Sequence, residues 1–211
     1  MILKNAIRDL PLAAFLLKPF VSVKDLINWR ARKFNSPSPH FIKQACVIRN
    51  GFPNATWIET GTYLGQTTTL LAKIGRVIYS IEPEPTLFLN AKKKFSKCNN
   101  VKILNSTSEN AFSSLLPKLK GNVNFWLDGH YSGGLTFKGQ KDTPIIDELR
   151  NIEENYGLYD KTCVMIDDIR CFNPKIAEYS EYPDINFLVD WANRNNFDWH
   201  IEHDIFIIKK E

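Results

Sequence analysis

The chain has 211 residues, 44% hydrophobic and 24% charged, with a formal net charge of +4. That length suits one domain with an added arm, and the composition is that of an ordinary soluble globular protein. The mild positive charge does not demand a nucleic-acid partner. The four cysteines, Cys46, Cys98, Cys163 and Cys171, show no C-x-x-C spacing. They indicate neither a zinc site nor a redox pair, and fit a reducing, cytoplasmic setting.

Leu10–Leu17 is apolar and follows Lys4 and Arg8. It is too short to span a bilayer and lacks a small-residue cleavage site after it. Residues 1–40 read either as a helical arm on the core or on a second subunit, or as a basic membrane surface using Lys18, Lys24, Arg30, Arg32 and Lys33. The charges are not confined to one helical face, which favours the arm. Two prolines and two serines between Asn35 and His40 mark a break. A short helix is expected over His40–Asn50, with Phe41, Ala45 and Ile48 on one side, ended by Gly51-Phe-Pro-Asn54.

From Thr56 the chain alternates between apolar runs and amphipathic segments. Strands are expected at Thr56–Glu59, Val77–Ile81, Val101–Leu104, Val123–Leu127 and Thr162–Ile166. The helices between and after them are expected at 65–74, Thr86–Phe95, Glu109–Leu116, Pro144–Asn155 and Asp184–Asn195, with Thr143 as the N-cap before Pro144. This rhythm predicts a three-layer, doubly wound, mostly parallel α/β sheet. Trp199–His203 and Ile205–Lys209 leave no room for a crossover, so the sheet should end in an antiparallel hairpin.

The first strand runs into Glu59-Thr60-Gly61-Thr62-Tyr63-Leu64-Gly65 and then a helix. Such a turn aims free N–H groups and a positive helix end at the mouth of the sheet, where nucleotide-like ligands bind. The pattern G-x-x-x-G also occurs as a plain strand–helix turn. Glu82 ends the second strand, 21 positions after Gly61. An acid there can accept hydrogen bonds from ribose hydroxyls, or can face the dipole of the next helix.

Asp128 ends the fourth strand and Asp167-Asp168 the fifth. In a parallel sheet these carboxylates open on the same edge as the glycine turn. Packed like charges need a base, such as Arg170 or Lys138, or a hard divalent ion such as magnesium. His130 reads as a general base for a hydroxyl or as a surface loop histidine. The long loop Gly129–Asp142 at this edge could close over a substrate.

Ile58–Gly65, Ser80-Ile81-Glu82-Pro83, Leu127-Asp128-Gly129-His130-Tyr131-Ser132 and Ile166-Asp167-Asp168 resemble the class I S-adenosylmethionine-dependent methyltransferases. Within these the chain is most similar to the macrocin/mycinamicin-type sugar O-methyltransferases of polysaccharide and secondary-metabolite pathways. The resemblance runs from about Thr56 to the C-terminus and leaves residues 1–50 as an arm. It implies S-adenosyl-L-methionine bound by Glu59, Thr60, Gly61, Thr62, Gly65, Thr67, Glu82, Pro83, Ser106, Thr107 and Asp128. Within that set, Glu82 would take the ribose and Ser106-Thr107 would lie near the adenine. It implies Mg2+ on Asp128, Asp167 and Asp168, with His130 and Asp128 catalytic. The acceptor would be a saccharide or small polar molecule. Nucleic acid is not expected, because no Asn-Pro-Pro-aromatic motif follows the fourth strand. Asn105-Ser106-Thr107 departs from relatives that carry an acid there. A homodimer through the arm would fit. Two other readings share some of these residues: a nicotinamide-dependent oxidoreductase using Gly61 and Glu82, and a non-catalytic cofactor-binding subunit.

Overall fold

The computed structural model describes residues 23–129 and 143–211. Seven strands form one sheet in the order β3-β2-β1-β4-β5-β7-β6. The helices α1 (Val23–Ala31) and α2 (His40–Asn50) precede it. Then come β1 (Thr56–Thr60), α3 (Gln66–Ile74), β2 (Val77–Ile81), α4 (Pro85–Lys94), β3 (Val101–Leu104) and α5 (Ser108–Leu115). The rest of the chain forms β4 (Val123–Leu127), α6 (Ile145–Asn155), β5 (Thr162–Ile166), α7 (Ile185–Arg194), β6 (Asp198–Glu202) and β7 (Ile205–Lys210).

Strands β1 to β5 pair in parallel, and β7 pairs antiparallel with both β5 and β6. The mostly parallel sheet and its antiparallel hairpin match the expectation. The hairpin turn is His203-Asp204, both at positive φ (50° and 70°), as a two-residue turn with right-handed strand twist requires.

Every residue of β1, β4 and β5 is buried, because helices cover both faces. Side-chain alternation divides the core. Ile58, Phe125 and Val164 face Phe112, Leu149 and Trp191 on one side. Trp57, Trp126 and Met165 face Leu71, Cys46 and Val47 on the other. Helix α2 therefore buries Ala45, Cys46, Val47 and Asn50, a stripe rotated from the expected Phe41, Ala45 and Ile48. The buried amide of Asn124 in β4 clamps the chain after α2: its Oδ1 accepts from Phe52 N (3.0 Å) and its Nδ2 donates to Phe52 O (2.9 Å).

The helix starts after β1 each fall one residue from expectation, at Gln66, Pro85, Ser108, Ile145 and Ile185, and at α6 the shift changes the cap. Helix α6 begins at Ile145, and Pro144 takes the N-cap place assigned to Thr143. The Thr143 hydroxyl still accepts from Ile145 N at 3.4 Å.

The parallel pairing continues past the strand ends. Glu82 N donates to Leu104 O (2.9 Å), Gly61 N to Ile81 O (3.1 Å), Asp128 N to Thr60 O (3.2 Å) and Asp167 N to Leu127 O (3.1 Å). These four residues stand at one edge of the sheet, and all four were singled out from the sequence.

Candidate active site

The glycine turn is built around conformations that a side chain resists. Gly61 has φ +82°, and a Cβ on it would meet the Asp128 carbonyl oxygen at 2.5 Å. Gly65 has φ +68° and caps α3. The turn lies directly against the end of β4, so the two regions read separately from the sequence touch.

Glu82 joins the turn to β2. Its Oε2 accepts from Tyr63 N (2.8 Å) and its Oε1 from Glu84 N (3.0 Å). Burial pushes this carboxyl up, and the two backbone hydrogen bonds oppose the shift. Each oxygen retains acceptor capacity after these bonds.

Glu59 lies beneath the turn, fully buried. Its Oε2 accepts from the hydroxyls of Thr68 and Ser80, each at 2.6 Å, and Ser80 also meets Thr62 Oγ1 at 2.6 Å. Its Oε1 has no hydrogen-bond partner among the described residues. Burial, opposed by the two hydroxyls, raises this carboxyl to about 7.

Beyond β3, Asn105 Nδ2 donates to the carbonyls of Glu82 (2.9 Å) and Pro83 (3.2 Å). Asn105 is thereby a brace for the neighbouring turn. Ser106 and Thr107 follow it, partly exposed, and Thr107 makes no side-chain cap on α5.

Asp128, Asp167 and Asp168 converge: each offers a carboxylate oxygen within 4.8 Å of the others. Asp168 takes a left-handed conformation (φ 55°), which a short polar side chain tolerates. Burial and the charges of Asp167 and Asp168 hold Asp128 well above the usual carboxylate range. Burial raises Asp167 to about 6 against the pull of Lys43. Burial also pushes Asp168 upward, but Arg170 and Lys43 outweigh it and hold it low.

The sequence offered Arg170 or Lys138 as the neutralising base. Arg170 does contact Asp168 (2.6 Å) and also pairs with the buried Asp204. Lys138 and His130 lie outside the described residues.

Three contributors escaped the sequence reading. Lys43 of α2 lies 2.5 Å from Asp167 Oδ1 and 2.7 Å from Asp168 Oδ1. With His40 and Gln44 it forms one wall of a cleft whose other wall includes Thr67, Asp128 and Asp167. Their spacing of three and four residues is the only local signal, and an exposed polar stripe has the same spacing. Asp204 sits in the hairpin turn, where an aspartate is ordinary. Glu148 of α6 is 1% exposed and hydrogen-bonded to Thr60 and Ser108. It looks in sequence like an acid of a first helical turn.

No protein-family model matches this chain, and no curated protein matches it by sequence. Solved structures do match. A protein described as an rRNA methylase from Clostridium thermocellum aligns at TM-score 0.53 and 14% identity, over 79% of this chain and 93% of its own. One described as an S-adenosylmethionine-dependent methyltransferase from Listeria monocytogenes aligns at TM-score 0.53 and 11% identity, over 81% and 99%. The fold is the Rossmann-like methyltransferase fold. A third match, a Streptococcus mutans protein described as a methyltransferase, was solved in complex with SAH. It aligns at TM-score 0.50 and 12% identity, over 79% of this chain and 93% of its own. At these identities the likeness is one of fold, and chemistry has to be argued from the site.

Proposed function

We propose that this protein moves a methyl group from S-adenosylmethionine to a hydroxyl oxygen of a sugar or other small polar acceptor, assisted by Mg2+. The observation that carries this reading is the convergence of three carboxylates at the edge where Glu82 is tied to the glycine turn.

The residues fit both groups. The partnerless Glu59 Oε1 and the remaining lone pairs of Glu82 are acceptors for a cationic, hydroxyl-bearing cofactor. Gly61, Gly65, Thr60, Thr62, Thr67 and Pro83 would form its cradle, with Ser106 and Thr107 toward the adenine. Asp128 would serve both cofactor and metal. The all-oxygen set of Asp128, Asp167 and Asp168 suits a hard divalent ion, and the Lys43 ammonium already stands in as a cation there.

S-adenosylmethionine supplies an electrophilic methyl group on sulfur, and a divalent ion supplies polarisation that lowers the pKa of a hydroxyl. The chain's own part is alignment and proton removal. Asp128, Asp167 and Asp168 hold the acceptor edge, and the Gly61–Asp128 contact sets it against the cofactor turn. His130 would take the proton of the acceptor hydroxyl, the role of general base. His40 and Gln44 offer hydrogen bonds to a hydroxyl-rich acceptor.

Four free cysteines, three of them buried, support a reducing cytoplasmic setting. Among the described residues, no helix is long and apolar enough to cross a membrane. The exposed Val23 and Ile27 of α1 support a homodimer through the arm. No nucleic-acid acceptor belongs to this reading.

Calorimetric titration with S-adenosylmethionine, with and without Mg2+, tests it on wild type and Glu82→Ala. Micromolar binding lost in the variant is expected. Methyl transfer to hydroxyl acceptors should fall at least a hundredfold in Asp128→Asn and His130→Ala. Absence of cofactor binding, or binding of a nicotinamide cofactor in its place, would remove the methyltransferase reading. Transfer to RNA alone would refute the acceptor class.

A further inference from the structure

Helix α2 reaches the carboxylates through Lys43. The Lys43 side chain is 11% exposed, and its ammonium lies between Asp167 Oδ1 (2.5 Å) and Asp168 Oδ1 (2.7 Å). We propose that Lys43 is a tethered counter-ion that competes with a divalent ion for Asp167 and Asp168, so that α2 sets the metal affinity of the site. The inference rests on the metal-assisted reading above.

The arrangement of charge supports competition. Arg170 is pinned from two sides, by Asp168 and by the buried Asp204. Its own backbone N also donates to Asp204 Oδ1 at 3.0 Å. Lys43 makes both of its bonds to the carboxylates through the ammonium, at the end of a four-carbon stem that carries no second polar anchor of the kind the Arg170 backbone N provides. A compact ammonium is also the side-chain group closest to a point cation, whereas a guanidinium demands a planar fork of acceptors. Two cations at bonding distance from the same oxygens repel strongly, so each weakens the other's hold.

Helix α2 does not depend on these ion pairs for its place. Cys46 and Val47 are packed in the core, and Arg49 pairs with Glu202 at the far end of the helix. Loss of the Lys43 charge should therefore leave the helix docked. The cluster would then hold an uncompensated negative charge that favours an added divalent ion.

The test is a Mn2+ titration of the full chain, read by calorimetry and by the electron paramagnetic resonance of free Mn2+. Wild type, Lys43→Gln, Lys43→Met and Lys43→Arg are compared, with Asp167→Asn as the control that removes a ligand. The two neutral variants should bind Mn2+ at least tenfold more tightly than wild type, and Mn2+ should raise their melting temperatures more. Lys43→Arg, which keeps the charge but not the compact ammonium, should bind Mn2+ less tightly than the neutral variants, and Asp167→Asn should lose binding. Lys43→Met keeps the length of the stem and carries the test if Lys43→Gln disturbs α2. Unchanged or weaker affinity in the neutral variants overturns the competition while leaving the metal reading intact. No Mn2+ uptake by any of the proteins overturns the metal reading, and this inference with it.

Discussion

Glu148 offers a test of the physics that is independent of any activity. Its carboxyl is 1% exposed, and its Oε1 has no hydrogen-bond partner among the described residues. Burial raises its pKa from 4.5 to about 7, against the opposing hydrogen bonds of Ser108 and Thr60. A folded-state pKa above the unfolded value means that the native state binds the extra proton. The stability that this proton contributes is complete below about 4.5 and is lost as pH rises through about 7. At about 1.4 kcal/mol per pKa unit, the cost of ionising Glu148 in place approaches about 3 kcal/mol. Glu148→Gln keeps the shape and an acceptor for Thr60 and Ser108 but cannot ionise. Relative to wild type it should be near neutral at pH 4.5 and more stable by up to about 3 kcal/mol at pH 8.5. For a chain of this size that is roughly 6–12 °C in melting temperature. Circular dichroism melts of both proteins across this range give the difference curve, in which all other titrations cancel. A difference that does not change with pH would refute the reasoning. Glu148→Ala should instead destabilise at every pH, because it leaves a cavity.

Further outcomes follow from the same contacts. Gly61→Ala places a methyl group 2.5 Å from the Asp128 carbonyl, at a φ of +82°. It should cost on the order of 3 kcal/mol in urea unfolding and abolish cofactor binding, and wild-type stability would show that the turn yields. Arg170→Ala leaves Asp204, whose side chain is 1% exposed, without its charged partner. A loss of about 2–3 kcal/mol in chemical denaturation is expected, partly recovered in Arg170→Lys, and an unchanged midpoint would show that the pair contributes nothing.

The strands were legible because β1, β4 and β5 are buried on both faces. Their residues are then mostly apolar, the buried exceptions Glu59 and Asn124 being held by hydrogen bonds, and the boundaries fall near where the apolar run stops. The hairpin was legible because two residues cannot carry a crossover. The carboxylates were legible from their strand-end positions alone. Lys43 was not, because its partners lie 124 and 125 residues away and nothing local distinguishes it from a solvated lysine. Glu148 was missed for a related reason: only the packing of α6 on Thr60 and Ser108 removes it from water. Glu82 was recognised by position, but its hold on Tyr63 N required the folded turn. The stripe that α2 buries was misjudged by part of a turn because Cys46 and Val47 lie at the centre of the contact with the sheet, while Ile48 packs at its margin, only partly buried.

The hydrogen bonds that carry the pairing past the strand ends make the sheet edge a ruler. Glu82, Gly61, Asp128 and Asp167 stand one residue past the ends of β2, β1, β4 and β5, each joined to the neighbouring strand through main-chain atoms. Strand spacing is a constant of about 4.8 Å. The reach from Glu82 to the carboxylates is thus graduated by the backbone and owes little to any side chain. Residues on the α2 wall can be exchanged without altering that reach. Such a scaffold can vary one wall of the cleft while the spacing of its fixed groups stays the same.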